Sequence, residues 1–324
     1  MPQITQWESL IGRRLRLRDL FVFFTVVENG SMAKAAALLG VSPPSISDVI
    51  ADLEHALGVR LLDRGPKGVL VTPYGQALLG RGRAAFDELR HGIRDIEFIA
   101  DPGGGEVLIG CSESVAAGFL VPVIEQLSQQ HPRMRFHVEQ VHTPNVEFPE
   151  LEERKVDLVL ARLVKMPVDG SLTNELNAEV LFNDPFTVVV GRTSKWGRRQ
   201  NVDFADLVDE PWILPPLDAL AGLLLTEAFE ARGLRPPRLS VATFSMHLRN
   251  NLVSDGRFIT ALPQSVLRLS SRHYSLKEVP IKLSDQPSPV AIVTLRNRTL
   301  GPAVQRFIEC AREVAKSIEG NPRR

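Results

Sequence analysis

The sequence predicts a multidomain α/β protein: a small helical module, one long helix, and a two-lobed α/β domain. Three observations carry that expectation. Short amphipathic stretches broken by glycine fill the chain from Leu17 to Leu57, an alternating three-four apolar seam follows, and beyond Gly105 β-branched runs alternate with helices. At 324 residues the chain exceeds what one core usually organises, so two or three folding units are expected.

Leu17, Leu20, Phe21, Phe24 and Val27 recur at three- and four-residue steps, the spacing of one helical face, and Asn29-Gly30 ends that helix. Ser31 is placed to cap a second helix, in which Ala33, Ala35, Ala36 and Ala37 lead into Leu38 and Leu39 before Gly40 permits a left-handed turn. So many alanines imply close helix packing. Ser42 caps a third helix with Pro43 at its first position, where a missing N–H costs nothing, and Ile46, Val49, Ile50, Leu53 and Leu57 form its inner face. Two short helices joined by such a turn make a helix-turn-helix, whose second helix fits a DNA major groove. Leu61-Leu62 and Val69-Leu70-Val71 flank the turn Gly65-Pro66-Lys67-Gly68 and read as a two-stranded wing. A winged helix-turn-helix is expected over residues 1–72.

Thr72 and Pro73 open a long helix, expected over 73–101, on which Leu79, Phe86, Leu89, Ile93 and Ile96 form a seam. The seam predicts a dimerising coiled coil. Packing of the helix on its own domain is the alternative, because the seam is short and Gly82 weakens it. The run Asp101-Pro102-Gly103-Gly104-Gly105 reads as a flexible linker and a domain boundary.

Residues 106–324 read as the α/β domain. Its first set of elements is the strand Val107–Gly110, a helix near 115–130, the strand Arg135–Val138, a helix near 147–154 and the strand Asp157–Ala161. A second set runs from Phe186–Val190 through Trp212–Leu214, a helix near 219–232, Leu239–Ala242 and Phe258–Leu262. Val290–Leu295 is a late strand free to return to the first set, and 302–318 a closing helix. This alternation predicts mostly parallel sheets in two lobes, about 106–180 with 285–324 and about 181–284, with a ligand cleft between them.

Composition is that of an ordinary folded protein, 44% hydrophobic and 23% charged. Lysine plus arginine and aspartate plus glutamate both count 38, so a nucleic-acid partner must be argued from local features. No basic-then-apolar leader and no apolar run of about 18 residues is present, which reads as a cytoplasmic chain with no membrane partner. Cys111 and Cys310 are too few for a disulfide framework or a zinc site; a redox pair is the alternative to two buried small apolar side chains.

Enzyme signatures are missing: no phosphate loop with its lysine, no Gly-x-Ser-x-Gly elbow, no His-Glu-x-x-His helix and no clustered metal ligands. Gly103-Gly104-Gly105 precedes a strand instead of following one, which makes it a poor dinucleotide fingerprint. The expectation is a non-enzyme with no catalytic residues, no cofactor and no metal.

From Leu17 to Leu79 the chain resembles the DNA-binding domain of the LysR-type transcriptional regulators. The resemblance rests on Phe21, Glu28-Asn29-Gly30-Ser31, Ala35-Ala36, Leu39, Ser42, Pro44, Ile46-Ser47, Ile50, Leu53-Glu54, Leu57-Gly58, Leu61, Arg64, Thr72-Pro73 and Gly75. It extends in outline to Glu106–Gly110, Asp157–Arg162 and Gly256–Pro263. The resemblance implies a type 2 periplasmic-binding-protein-like effector domain, and a homodimer or homotetramer assembled through the linker helix. It further implies binding to paired sites on double-stranded promoter DNA, bending of that DNA under control of a small-molecule effector between the lobes, and contact with RNA polymerase. Smooth bending over a few helical turns costs about 1–6 kcal/mol, within reach of a ligand that prefers one quaternary state.

One departure bears on base reading. The family usually carries glutamine after the cap serine, where this chain has Pro43, and from Ser42 to His55 there is no lysine or arginine, while Asp48, Asp52 and Glu54 repel phosphates if they face the backbone. Direct readout is therefore expected from Ser42, Ser45 and Ser47, with Pro44 against a thymine methyl and Asp48 accepting from a cytosine amino group. For each serine, helix capping or a solvated surface is the alternative. Phosphate anchoring falls to Lys34, Arg64 and Lys67, helped by the cluster Arg13, Arg14, Arg16 and Arg18, for which a solvated face is the alternative.

In the effector half, Cys111-Ser112-Glu113-Ser114 leads from a strand into a helix, whose free N–H groups can hold an anion; Ser112 and Ser114 are the expected contacts, with N-capping as the alternative. Glu113 opposes an anionic ligand if it points inward. The resemblance adds Arg162, Pro216, Thr243, Ser245 and His247. Arg162 suits a carboxylate effector or, alternatively, an inter-strand salt bridge, and a lone histidine is more often structural. The competing functional readings are a secreted solute-binding protein and a dimeric metabolite sensor whose DNA-binding domain survives as fold only.

Overall fold

A computed structural model of the chain describes residues 14–65, 68–141, 147–163, 170–284 and 286–320. The chain divides into two compact units, Met1–Leu89 and Arg90–Arg324.

In the first unit, helices α1 (Leu17–Asn29), α2 (Met32–Leu39) and α3 (Pro43–Leu57) end at Gly30, Gly40 and Gly58, each left-handed with φ of 62, 66 and 72°. That conformation disfavours a side chain, which is why the three stops are legible as glycines. Ser31 and Ser42 cap α2 and α3 by accepting from the backbone of Lys34 and Ser45. Phe23, Val26, Ala35, Ala36, Ile46, Ile50 and Leu53 close one core, and the alanines bring α2 close to its neighbours as their small size implies. Strands β1 (Leu62–Gly65) and β2 (Gly68–Val71) pair antiparallel as the wing. Thr72 then caps α4 (Pro73–Ala100) by accepting from Gly75 N. Gly82 is a packing device: a Cβ there would run into the ring of Phe24, which is also edge-on to Phe86 at 5.4 Å.

The second unit holds two five-stranded sheets. The first runs in the order β4 (Arg135–Gln140), β3 (Glu106–Cys111), β5 (Leu158–Arg162), β12 (Pro289–Leu295), β6 (Leu176–Asn183). The second runs β11 (Leu276–Lys282), β7 (Phe186–Gly191), β10 (Ile259–Pro263), β8 (Trp212–Leu214), β9 (Leu239–Ala242). In each sheet one strand, β12 or β7, runs antiparallel to both its neighbours while the other ladders are parallel. The late strand does return to the first sheet, between β5 and β6. No strand is expected at β6 from the sequence, yet Leu176, Ala178 and Phe182 are buried and Asn177, Glu179 and Asn183 exposed, an alternation of the half-buried kind. That strand keeps the first lobe's chain to Asn183, a few residues beyond the expected crossover near 180.

The helix after β3 opens as α5 (Glu113–Val115), passes through a π-helical turn at Ala116–Leu120 and continues as α6 (Val121–Gln130). The turn Asp101–Gly105 is tied down and not a flexible tether: Asp101 accepts from Gly103 N at 3.2 Å and from Arg133 Nε at 2.9 Å. Closing helix Pro302–Glu319 seals the first lobe's core with Phe307, Ala311 and Val314. Among the described residues, no helix is long and apolar enough to cross a membrane.

Candidate nucleic-acid interface and ligand cleft

The outer surface of α3 is small and polar. Ser42, Pro43, Pro44, Ser45 and Asp48 are exposed, and the hydroxyls of Ser42 and Ser45 share a hydrogen bond of 2.8 Å. Ser47 sits on the flank, half-buried, with its hydroxyl on Met32 Sδ at 3.5 Å, which turns it from the exposed face toward α2. Glu54 does not add to the acidic surface that the sequence suggested. Its Oε1 accepts from Leu61 N at 2.7 Å and Leu62 N at 3.1 Å, so it fastens the start of the wing to α3. Asp48 and Asp52 are the exposed acids on that helix. Lys34 on α2 and Arg64 on β1 are exposed, as are Arg14, Arg16 and Arg18. Lys67 and Arg13 lie outside the described residues.

In the second unit a cleft of about 250 Å³ opens between the two lobes. Ser112, Ser114, Arg162 and Pro216 line it as expected; Thr243, Ser245 and His247 do not. Thr243 Oγ1 accepts from Ser245 N at 3.1 Å, and Ser245 caps α7 (Met246–Ser254) through Leu248 N at 3.3 Å, so both hydroxyl oxygens serve the turn. His247 is exposed beside Tyr274, its Nδ1 3.0 Å from the phenol oxygen. The same segment instead presents Phe244, Met246 and Arg249 to the cleft. Glu113, Gln140 and Phe186 complete its polar and aromatic wall.

Arg162 is committed within the protein. Its Nη2 donates to Asp184 Oδ2 at 2.7 Å, its Nη1 to Asp184 O at 2.6 Å and to Ser288 Oγ at 3.2 Å, and its guanidinium lies 5.0 Å from the Phe186 ring centre. Asp184 and Ser288 sit on the two crossovers between lobes, and Asp184 also takes Ser265 N and Oγ at 2.9 and 2.6 Å. Arg162 thus clamps the hinge. Pairing its Nη1 and Nη2 edge with a ligand carboxylate would require breaking this buried pair.

The second buried guanidinium on the cleft wall, Arg249, donates to Thr260 Oγ1 at 3.0 Å and Ala261 O at 2.5 Å. Burial depresses its pKa to about 10, partly offset by the charge of Glu113, so it stays protonated at neutral pH. Glu113 crosses from the first lobe to accept Met246 N at 2.6 Å, placing its carboxylate at the start of α7. The cysteines are buried in the first lobe's core, where desolvation raises both pKa values, Cys310 to about 11. Both are buried as small side chains, the reading to which the redox pair was the alternative.

A winged helix-turn-helix with an exposed second helix, followed by a bilobal α/β domain with a cleft at its hinge, defines a DNA-binding regulator with an effector domain. The chain belongs to the LysR family: residues 17–76 match the bacterial regulatory helix-turn-helix protein, lysR family, and residues 100–316 match the LysR substrate binding domain. It is a DNA-binding transcriptional regulator with an effector-binding domain. It is 29% identical over 302 residues to the HTH-type transcriptional regulator GbpR of Azospirillum brasilense, covering 92% of this chain and 86% of that one. A full-length OxyR variant from Pseudomonas aeruginosa shares the fold with a TM-score of 0.62 at 21% identity, covering 93% of this chain and 97% of that one. Full-length CbnR complexed with its target DNA does so with a TM-score of 0.51 at 20% identity, over 93% of this chain and all of that one.

Proposed function

We propose that this regulator reads double-stranded promoter DNA with the exposed face of α3 and the wing, and that a small molecule in the interlobe cleft sets its effect on transcription. The observation that carries the reading is the position of Arg162, which lines the cleft and holds both crossovers at once. A ligand on that wall acts directly on the hinge, so occupancy biases the angle between lobes. Pro44, Ser45 and Asp48 are the base-reading candidates, Ser42 holds the helix start, and Lys34, Arg64 and Lys67 supply phosphate contacts. Leu89, Ile93, Ile96 and Ile99 are exposed along α4, an apolar stripe suited to a partner helix in a homodimer or homotetramer. Contact with RNA polymerase follows from the same reading of the family.

A carboxylate effector, expected from Arg162, finds that guanidinium already paired with Asp184 and meets Glu113 on the same wall. The ligand's charge class is therefore a separate question from the cleft's role. The test is a titration of the purified protein against its own upstream intergenic DNA and a scrambled control at two salt concentrations. Tight binding to the upstream DNA alone, with protection of separated half-sites, is expected. Equal, salt-sensitive binding to both would mean phosphate contacts without base reading, and absent binding would favour a metabolite sensor.

A further inference from the structure

Among the described residues, both cations on the cleft wall are engaged by groups of the protein itself. Arg162 is bound to Asp184, both nearly inaccessible, and the buried Arg249 donates to Thr260 and Ala261. Glu113 also occupies the first free N–H of α7, the position in which an anionic ligand would be held. Asp218, exposed at the wall, adds a further negative charge. The rest of the wall is largely apolar, with Val141, Phe186, Pro216, Leu220 and Phe244 among its residues.

One buried donor on the wall is unsatisfied. Among the described residues, five buried side-chain polar atoms lack a hydrogen-bond partner, and Arg162 Nε is the one whose residue lines the cleft. The Arg162 side chain is 4% exposed, so this N–H forgoes water as well. No oxygen the size of water reaches it in this structure, so a ligand oxygen satisfies it once the cleft wall shifts to admit one.

We propose that the cleft is built for an uncharged, mostly apolar molecule of about single-ring size that offers a hydrogen-bond acceptor to Arg162 Nε, and that Glu113 excludes carboxylates. The proposal rests on the cleft being the effector site. A carboxylate brought within a few ångströms of Glu113 meets like charge, with Arg162 already paired to Asp184 and the Arg249 guanidinium buried on Thr260 and Ala261, whereas an amide or ketone oxygen meets none.

Benzamide and benzoate have the same ring and nearly the same size and differ in charge at neutral pH, so calorimetric titration of the full-length protein with each isolates the effect. Benzamide is expected to bind at least about tenfold more tightly than benzoate, a difference of about 1.4 kcal/mol. Toluene, which lacks the acceptor, is expected to bind more weakly than benzamide. Glu113→Gln keeps an acceptor for Met246 N and removes the charge; in this variant benzoate should gain about tenfold while benzamide changes little. Ala219→Trp, which fills the cleft, should abolish binding of all three probes. Benzoate binding as tightly as benzamide, or unaffected by Glu113→Gln, overturns the charge rule and leaves the cleft reading intact. Probe binding that ignores Ala219→Trp overturns the cleft as the ligand site, and no saturable binding of any probe overturns the ligand class.

Discussion

Arg162 and Asp184 form a buried ion pair, Nη2 to Oδ2 at 2.7 Å, in which a strand end of the first lobe grips the crossover into the second. Removing one partner strands the other charge in the interior, which typically costs ~3–5 kcal/mol, whereas replacing both with apolar groups costs far less. Asp184→Ala is therefore expected to lower the urea-unfolding stability of the effector domain by about that amount, and Arg162→Met with Asp184→Leu to recover much of it. A double variant as damaged as the single would show that the pair's bonds to Ser265 and Ser288, and not its charges, hold the hinge.

Asp157 gives the same domain an acid limit. Burial alone would raise its pKa, but contacts with His91 and Leu108 N and the charges of Arg298 and Arg94 outweigh burial and hold it below the usual carboxylate value. The folded state thus favours the ionised form. Its contribution is present above the unfolded pKa of about 3.9 and is lost as pH falls through the lower folded value. Wild type should lose stability steeply below about pH 4, while Asp157→Asn starts less stable at pH 7 and shows a flatter acid limb. Identical slopes in acid denaturation would remove Asp157 from the account.

How much of this was legible in the sequence follows the range of the forces involved. The helices of the first unit announce themselves because caps and glycine stops are local: Ser31, Gly30, Gly40 and Gly58 each act within a few residues. Strand β11 escaped because Pro280 breaks the pattern and its pairing shifts register between Val279 and Lys282. Strand β6 was within reach of its own alternation, Leu176, Ala178, Phe182. In the cleft, Ser112 and Ser114 were legible from a strand running into a helix. Thr243 and Ser245 were placed in the site by the family resemblance, but their position just before a helix made them caps, and the apolar or buried Phe244, Met246 and Arg249 took the wall. The role of Arg162 depends on Asp184 and Ser288, partners whose proximity exists only once β12 has returned to the first sheet.

Gly82 illustrates a residue whose local cost is repaid by packing. Glycine lowers helix propensity by about 1 kcal/mol relative to alanine. Here a Cβ would strike the Phe24 ring, so Gly82→Ala is expected to destabilise the DNA-binding unit by ~1–3 kcal/mol despite its better propensity. A rise in its melting temperature would show that Phe24 yields freely.

The DNA-binding surface separates base reading from anchoring. Arg64 is exposed on the wing and Ser45 on the recognition helix, and their loss should leave different signatures. Arg64→Ala removes a phosphate contact, so it should weaken binding to upstream and scrambled DNA alike and reduce the slope of log K against log salt by about 1. Ser45→Ala leaves its own backbone N–H on the Ser42 cap, because that bond uses the main chain, and gives up the hydroxyl's bond to Ser42. Its expected effect is a selective loss on the upstream sequence, equivalent to ~1–3 kcal/mol of discrimination, with scrambled DNA and the salt slope unchanged. Equal weakening on both sequences would move Ser45 from base reading to helix positioning, and leave Pro44 and Asp48 to account for specificity on a helix that carries no lysine or arginine between Ser42 and His55.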